Sequence, residues 1–171
     1  MKNNKKIQNA WAMYDWANST YNLVITSTIF PAYYVAITTS SEPNTLSYVD
    51  FFGIQIINTA LQNYALAFVF LIVALTSPIM SSIADYRGNK KAFMRAFTLL
   101  GSISCAALFF FTPDRIEYGI ICFSLAALGF WNSWVFYNSY LPDIAEPEDR
   151  DRLSARGYAM GYIGSVILQL I

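Results

Sequence analysis

The stretch Leu61-Gln-Asn-Tyr-Ala-Leu-Ala-Phe-Val-Phe-Leu-Ile-Val-Ala-Leu-Thr-Ser-Pro-Ile-Met-Ser-Ser-Ile-Ala84 carries no formal charge. A helix needs ~20 predominantly apolar residues to cross the hydrocarbon core of a bilayer, and this stretch meets that length. Three more stretches of the same character cover residues 17–37, 92–112 and 118–141, and a fifth runs from residue 155 to Ile171. Of 171 residues, 56% are hydrophobic and only 13% are charged. A water-soluble domain of this size could not hide that much apolar surface. The pattern predicts an all-α membrane protein with about five transmembrane helices. No polar flank or basic anchor follows the fifth stretch, so the chain reads as cut off inside a membrane helix.

Working outward, the basic residues cluster between these stretches. Lys2, Lys5 and Lys6 precede the first; Arg87, Lys90, Lys91 and Arg95 separate the second from the third; Arg150, Arg152 and Arg156 separate the fourth from the fifth. With those segments in the cytoplasm, Arg115 alone lies opposite, and the positive-inside bias places the N-terminus inside. The opposite-side loop, residues 38–50, carries Glu42 and Asp50 and no Lys or Arg. The basic start resembles the first part of a signal peptide. The apolar region behind it is long, contains Asp15, Asn18 and Asn22, and lacks a small-residue cleavage site, so it is expected to remain as an anchor. A short N-terminus without an organelle-targeting extension suits a bacterial cytoplasmic membrane.

Cys105 and Cys122 fall inside spans and the chain has no histidine, which leaves neither a zinc site nor a disulfide framework. There is no nucleophile elbow, phosphate-cradling loop or metal-ligand cluster, so no enzyme, cofactor or metal is expected. Acidic residues interleave with the basic ones in the longest charged loop, which argues against a nucleic-acid surface.

Chemistry concentrates in the first and fourth spans. Asp15, Asn18, Asn22 and Thr26 are spaced three, four and four apart. At ~100° per residue they fall within an arc of about 80° on one helix face. Polar side chains in a lipid-spanning helix need partners, so this stripe either lines a cavity or bonds neighbouring helices. Asp15, nearest the cytoplasmic end, is open as a gate, an ion-pair partner, or a proton or substrate site. The fourth span adds Trp131, Asn132, Trp134, Tyr137, Asn138 and Ser139. Its aromatics suit interface anchors and its asparagines suit a central pocket. The candidate substrate-pathway residues are therefore Asp15, Asn18, Asn22, Thr26, Asn132, Trp134 and Asn138.

Two short loops form a candidate conformational switch. Asp85 ends one helix, Gly88 permits a tight turn, and Lys90 and Lys91 open the next helix. Residues 142–157 mix five acids with three arginines, which suits a breakable salt-bridge latch involving Arg150 and Arg156. Gly157, Gly161 and Gly164 open the fifth span, at a spacing that lets another helix approach closely.

The run Trp11-Ala-Met-Tyr-Asp-Trp-Ala-Asn-Ser-Thr-Tyr-Asn22 resembles the opening signature of the UMF family of major facilitators, related to the autophagy-linked vacuolar amino-acid effluxers. Ala84-Asp-Tyr-Arg-Gly-Asn-Lys-Lys91 is similar to that superfamily's loop between helices two and three, departing from it at Ser81, Tyr86 and Asn89. Pro147-Glu-Asp-Arg150 with Ser154 and Gly157 resembles its connection between helices four and five. The fifth span lacks the glycine-proline arrangement of many antiporters, since Tyr162 follows Gly161.

The resemblance implies an incomplete N-terminal six-helix half of a transporter of about twelve spans that works by alternating access. The expected activity is secondary active transport of a small polar solute, with amino-acid efflux as the candidate cargo and direction. The expected partners are the lipid bilayer, that solute, a coupling proton and the remainder of the same protein. The alternatives are a non-transporting membrane scaffold or sensor and an inactive truncated transporter.

Overall fold

The computed structural model describes residues 2–40 and 46–170. Glu42, assigned above to the loop opposite the basic segments, lies outside them. Asn4 starts the first rod, its Oδ1 accepting from the backbone N–H groups of Lys6 (3.0 Å) and Ile7 (3.4 Å) and so satisfying two of a helix start's orphan donors. The rod comprises α1 (Lys5–Thr20), a wider segment (Tyr21–Ile29) and α2 (Phe30–Thr38), with helical backbone at both junctions. In the wider segment the hydrogen bonds span five residues: the Phe30 N–H donates to the Ile25 carbonyl. Ser27 Oγ and Thr28 Oγ1 likewise reach back five residues, to the carbonyls of Asn22 (3.0 Å) and Leu23 (2.9 Å). The helix thus begins well before residue 17, because the Asn4 cap rather than the bilayer edge sets its start.

After the first rod, β1 (Tyr48–Phe51) pairs antiparallel with β2 (Ile54–Ile57), with Val49 opposite Ile56. Phe52 (φ +53°) and Gly53 (φ +80°) are both left-handed, as the commonest two-residue hairpin turn requires, and the Gly53 N–H donates to Asp50 Oδ1 (2.8 Å). This hairpin adds a short β element to the all-α pattern read from the sequence. A run of aromatic and β-branched residues too short to cross a bilayer has paired with itself instead.

Four more helices follow, joined by tight turns. They are α3 (Asn58–Arg87), α4 (Lys90–Ala107), α5 (Ile116–Ser139) and, after the single turn α6 (Leu141–Ile144), α7 (Pro147–Leu170). Pro147 with Glu148 and Asp149 opens α7 earlier than residue 155, since proline and acids both favour a first helical turn. The segments Asn58–Tyr86, Lys90–Phe110 and Ile116–Ile144 are long and apolar enough to cross a membrane.

The apolar window of α5 is 61% buried, whereas those of α3 and α4 are each 6% buried. The central rod is therefore α5, with α3 and α4 presenting apolar faces outward as lipid-facing helices do. Where α4 crosses α5, a Cβ on Gly129 would lie 2.6 Å from Gly101 Cα and 2.7 Å from the Phe97 carbonyl oxygen. Backbone meets backbone there. On the seam between α1 and α7, a Cβ on Gly161 would lie 2.7 Å from Ser19 Oγ, and one on Gly164 would overlap the Trp16 ring. The packing role read from that glycine spacing holds. One end of the bundle closes over Phe30, stacked on Phe123 at 3.9 Å, with Tyr34, Phe111 and the hairpin's Val49 around it. At the other end Trp11 stacks on Tyr137 at 4.2 Å and donates its Nε1–H to the Tyr137 carbonyl (3.0 Å).

Valine at Gly129 is expected to destabilise the bundle by about 1–3 kcal/mol, because no side-chain movement can relieve contact with the α4 backbone. Thermal unfolding in detergent checks this; a melting curve equal to that of the unmodified protein rejects the backbone contact.

Candidate functional site

The polar side of α1 is built into the seams with α5 and α7. Asp15 is buried and accepts from Ser19 Oγ, one turn further along, at 2.8 Å. Asn18 Oδ1 accepts from Ser133 Oγ of α5 at 3.4 Å, which ties the middle of the first rod to the central helix. The hydroxyls of Tyr14 and Thr98 share a hydrogen bond of 2.8 Å between α1 and α4. The Tyr21 hydroxyl donates to the Phe123 carbonyl at 3.4 Å.

Tyr14, Asn18, Tyr21, Thr98 and Ser133 border a cavity of about 550 Å³ between the first rod, α4 and α5. Tyr14, Asn18, Thr20, Tyr21, Thr98, Ser102, Cys105 and Ser133 contribute its polar and polarisable wall, and the rest is apolar. Such a wall, mostly apolar with a few fixed polar groups, is typical of small-molecule sites.

Several buried polar atoms along these seams have no hydrogen-bond partner: Asn18 Nδ2, Thr26 Oγ1 and Asn132 Oδ1. Each such atom costs about 1–3 kcal/mol when left unpaired.

Of the sequence candidates, Asn18 alone lines the cavity. Asp15 lies one turn away in the α1/α7 seam. Asn22 and Thr26 sit in the five-residue ladder and do not reach the cavity wall. Asn132 is buried within α5, its Nδ2 donating to the Leu128 carbonyl at 3.0 Å. Asn138 does the same to the Trp134 carbonyl at 3.0 Å, and Trp134 packs on the cluster of Trp11, Tyr137, Ile144 and Leu153.

At the α3–α4 turn, Gly88 (φ +62°) caps α3 by donating its N–H back to the Ala84 and Asp85 carbonyls. Lys90 Nζ lies 3.2 Å from Asp85 Oδ1 and 3.2 Å from Asp143 Oδ2, and donates to the Ser139 carbonyl at 3.4 Å. One ammonium thus joins the α3–α4 turn to the end of α5. The loop after α5 is tied to the N-terminus as well, through Lys2–Glu146 (3.2 Å) and the Asn3 N–H on the Ile144 carbonyl (3.1 Å). Among the described residues Arg150 Nε donates only to the Ala145 carbonyl (3.4 Å), and Lys91 and Arg156 are exposed.

The sequence profile described as "Vacuole effluxer Atg22 like" matches residues 3–171. The chain belongs to that family. It is 35% identical over 167 residues, 98% of its length, to the uncharacterized MFS-type transporter YxiO of Bacillus subtilis. It is 33% identical over 94 residues to autophagy-related protein 22-1 of Aspergillus clavatus and 31% identical over 94 residues to autophagy-related protein 22-2 of Penicillium rubens, in each case across 55% of the chain. The chain spans 37% of the length of the Bacillus relative, and 15% and 16% of those fungal ones. No solved structure matches it. The family and the Bacillus relative are named for transport and not for catalysis, and with its three apolar helices this Atg22-like chain is an integral membrane protein.

Ser19, Tyr14, Tyr21, Thr98 and Ser133 were absent from the sequence candidates. Tyr14, Asn18, Tyr21 and Ile25 recur at four, three and four, so the cavity face of the first rod is present as a helical period. Thr98 and Ser133 carry no such signal, being ordinary small polar residues until their helices pack.

In a double-mutant cycle, Lys90→Met and Asp143→Asn should couple by about 1 kcal/mol or less, as expected for a partly exposed pair. Arg156→Ala should change stability by no more than ~0.5 kcal/mol. Unfolding of the reconstituted protein measures both, and a larger effect at Arg156 than at Lys90 rejects this division of labour.

Proposed function

We propose that this Atg22-like chain carries part of the translocation path of a secondary active transporter, and that the whole protein moves a small polar solute, an amino acid by preference, by alternating access. The observation that carries the reading is the unpaired Asn18 Nδ2, buried on a side chain that lines the cavity and whose Oδ1 accepts from Ser133. A donor left unsatisfied at that position is offset when a polar solute accepts from it. The family's description as a vacuole effluxer supports efflux as the direction. The reading includes an N-terminus in the cytoplasm of a bacterial cell, on the strength of ten of the eleven basic residues falling in three segments on one side. The remaining helices of the full-length protein supply the other wall of the path.

Efflux of a labelled amino-acid mixture from vesicles holding the full-length protein tests this. Asn18→Ala should lower flux about tenfold, the worth of one hydrogen bond to a bound solute. Asn138→Ala, whose side chain is satisfied within α5, should leave flux unchanged. Flux no greater than in empty vesicles rejects transport, and solute binding without flux favours a sensor.

A further inference from the structure

Asp15 is 2% exposed and makes no ion pair among the described residues. An isolated carboxylate withdrawn from water is too costly to persist, and it resolves the cost by taking up a proton or recruiting a cation. Its surroundings discriminate between these. Oδ1 is occupied by the Ser19 hydroxyl at 2.8 Å. Oδ2 lies 3.3 Å from the point where a Gly157 Cβ would project, and the Tyr137 hydroxyl lies 2.9 Å from that same point. Tyr137 is itself 2% exposed, and its hydroxyl is within reach of the Asp15 carboxylate and has no other hydrogen-bond partner. The free carboxylate oxygen therefore shares a dry corner with a hydroxyl able either to donate or to accept.

The groups facing this corner come from three elements. From α7 the glycine backbone at Gly157 and Gly161 approaches it, with the Tyr158 side chain half exposed and Arg156 exposed in the adjacent turn. From α5 comes Tyr137, and from α1 come Ser19 and Tyr14, whose ring stacks on Tyr137 at 5.2 Å. One carboxylate and two hydroxyls are a thin shell for a hard cation, which draws six or more oxygens. They are sufficient for a proton.

We propose that Asp15, assisted by Ser19 and Tyr137, is a proton-binding site on the α1/α7 seam. Loading forms one O–H bond on Oδ2 with a proton taken from water, removes one negative charge, and turns Oδ2 into a donor toward the Tyr137 hydroxyl. Unloading returns the proton to water and lets Tyr137 donate to the carboxylate. The ionised form favours an arrangement in which water reaches the seam, and the neutral form favours the closed contact of α1 against Gly157 and Gly161. Proton binding thereby biases two arrangements of α7 on α1 through its different affinity for each. The use of that bias to drive solute movement rests on the transport reading above; the binding itself does not.

The test is the infrared difference spectrum of the full-length protein in lipid vesicles as pH is stepped. The expected result is a protonated-carboxyl stretch that grows as pH falls and is missing in Asp15→Asn. In Tyr137→Phe the band should remain with its midpoint moved upward by about one pH unit, because a donor to the ionised form has been removed. A titrating band unchanged in Asp15→Asn overturns the proposal, as does a band present at every pH. Should Asp15→Asn fail to fold, an unmoved midpoint in Tyr137→Phe overturns it alone. A band that behaves as expected in protein without solute flux sustains the proton site and removes the transport reading; flux without the band does the reverse.

Discussion

Backbone touching backbone at Gly101 and Gly129 is the contact on which the rest of the arrangement depends. Among lipid-facing helices there is little hydrophobic gain from association, because lipid tails are as apolar as the side chains they would leave. Cohesion must come from dispersion at close range and from interhelical hydrogen bonds. Glycine pairs bring α4 against α5, and the glycines of α7 do the same on α1. Once the rods are that close, the hydroxyls of Tyr14 and Thr98, and the Ser133 hydroxyl with Asn18 Oδ1, come within bonding range. The cavity is what remains where the rods diverge.

The same closeness explains why a carboxyl group can be sealed in. Asp15 is covered by Gly157 and Gly161, residues with no side chain to provide a counter-charge, while Trp11 and Tyr137 stack beside it. A larger residue in α7 would hold the seam open and hydrate the carboxyl. Sealing is thus achieved by the absence of atoms as much as by their presence.

Much of the fold was legible in the sequence because span length, charge placement and glycine spacing are consequences of the bilayer itself. The helix beginning at Asn58 contains the stretch read as residues 61–84, and those beginning at Lys90, Ile116 and Pro147 cover most of the stretches read at 92–112, 118–141 and 155–171, with α4 ending at Ala107 and α5 at Ser139. The hairpin of Tyr48–Phe51 and Ile54–Ile57 was not legible, since its turn, Phe52-Gly53, lacks the Asn-Gly or Asp-Gly pair that usually signals one. The site was half legible. A stripe from Asp15 to Thr26 assumes 3.6 residues per turn throughout, yet from Tyr21 to Ile29 the bonds span five residues and each residue turns through a smaller angle. Asn22 and Thr26 lie in that segment and are absent from the cavity wall, which Tyr21 and Ile25 of the same segment reach. Nothing in side-chain identity announced that change of pitch. The cross-helix partners Thr98 and Ser133 were hidden for another reason, since their roles exist only once α4 and α5 have packed.

The length of α3 has a consequence for its far end. At 1.5 Å per residue its 30 residues extend about 45 Å, against a hydrocarbon core of ~30 Å. Even tilted by the ~20° common for membrane helices, it overreaches the core by roughly 10 Å. The turn that follows it, with Asp85, Lys90 and Asp143, then stands among headgroups and water. Mobile ions reach it there, and at physiological ionic strength they screen charges over ~8 Å. The tie between the α3–α4 turn and the end of α5 is thereby exposed to the ionic composition of the surrounding solution, whereas the glycine contacts deeper in the bundle are indifferent to it.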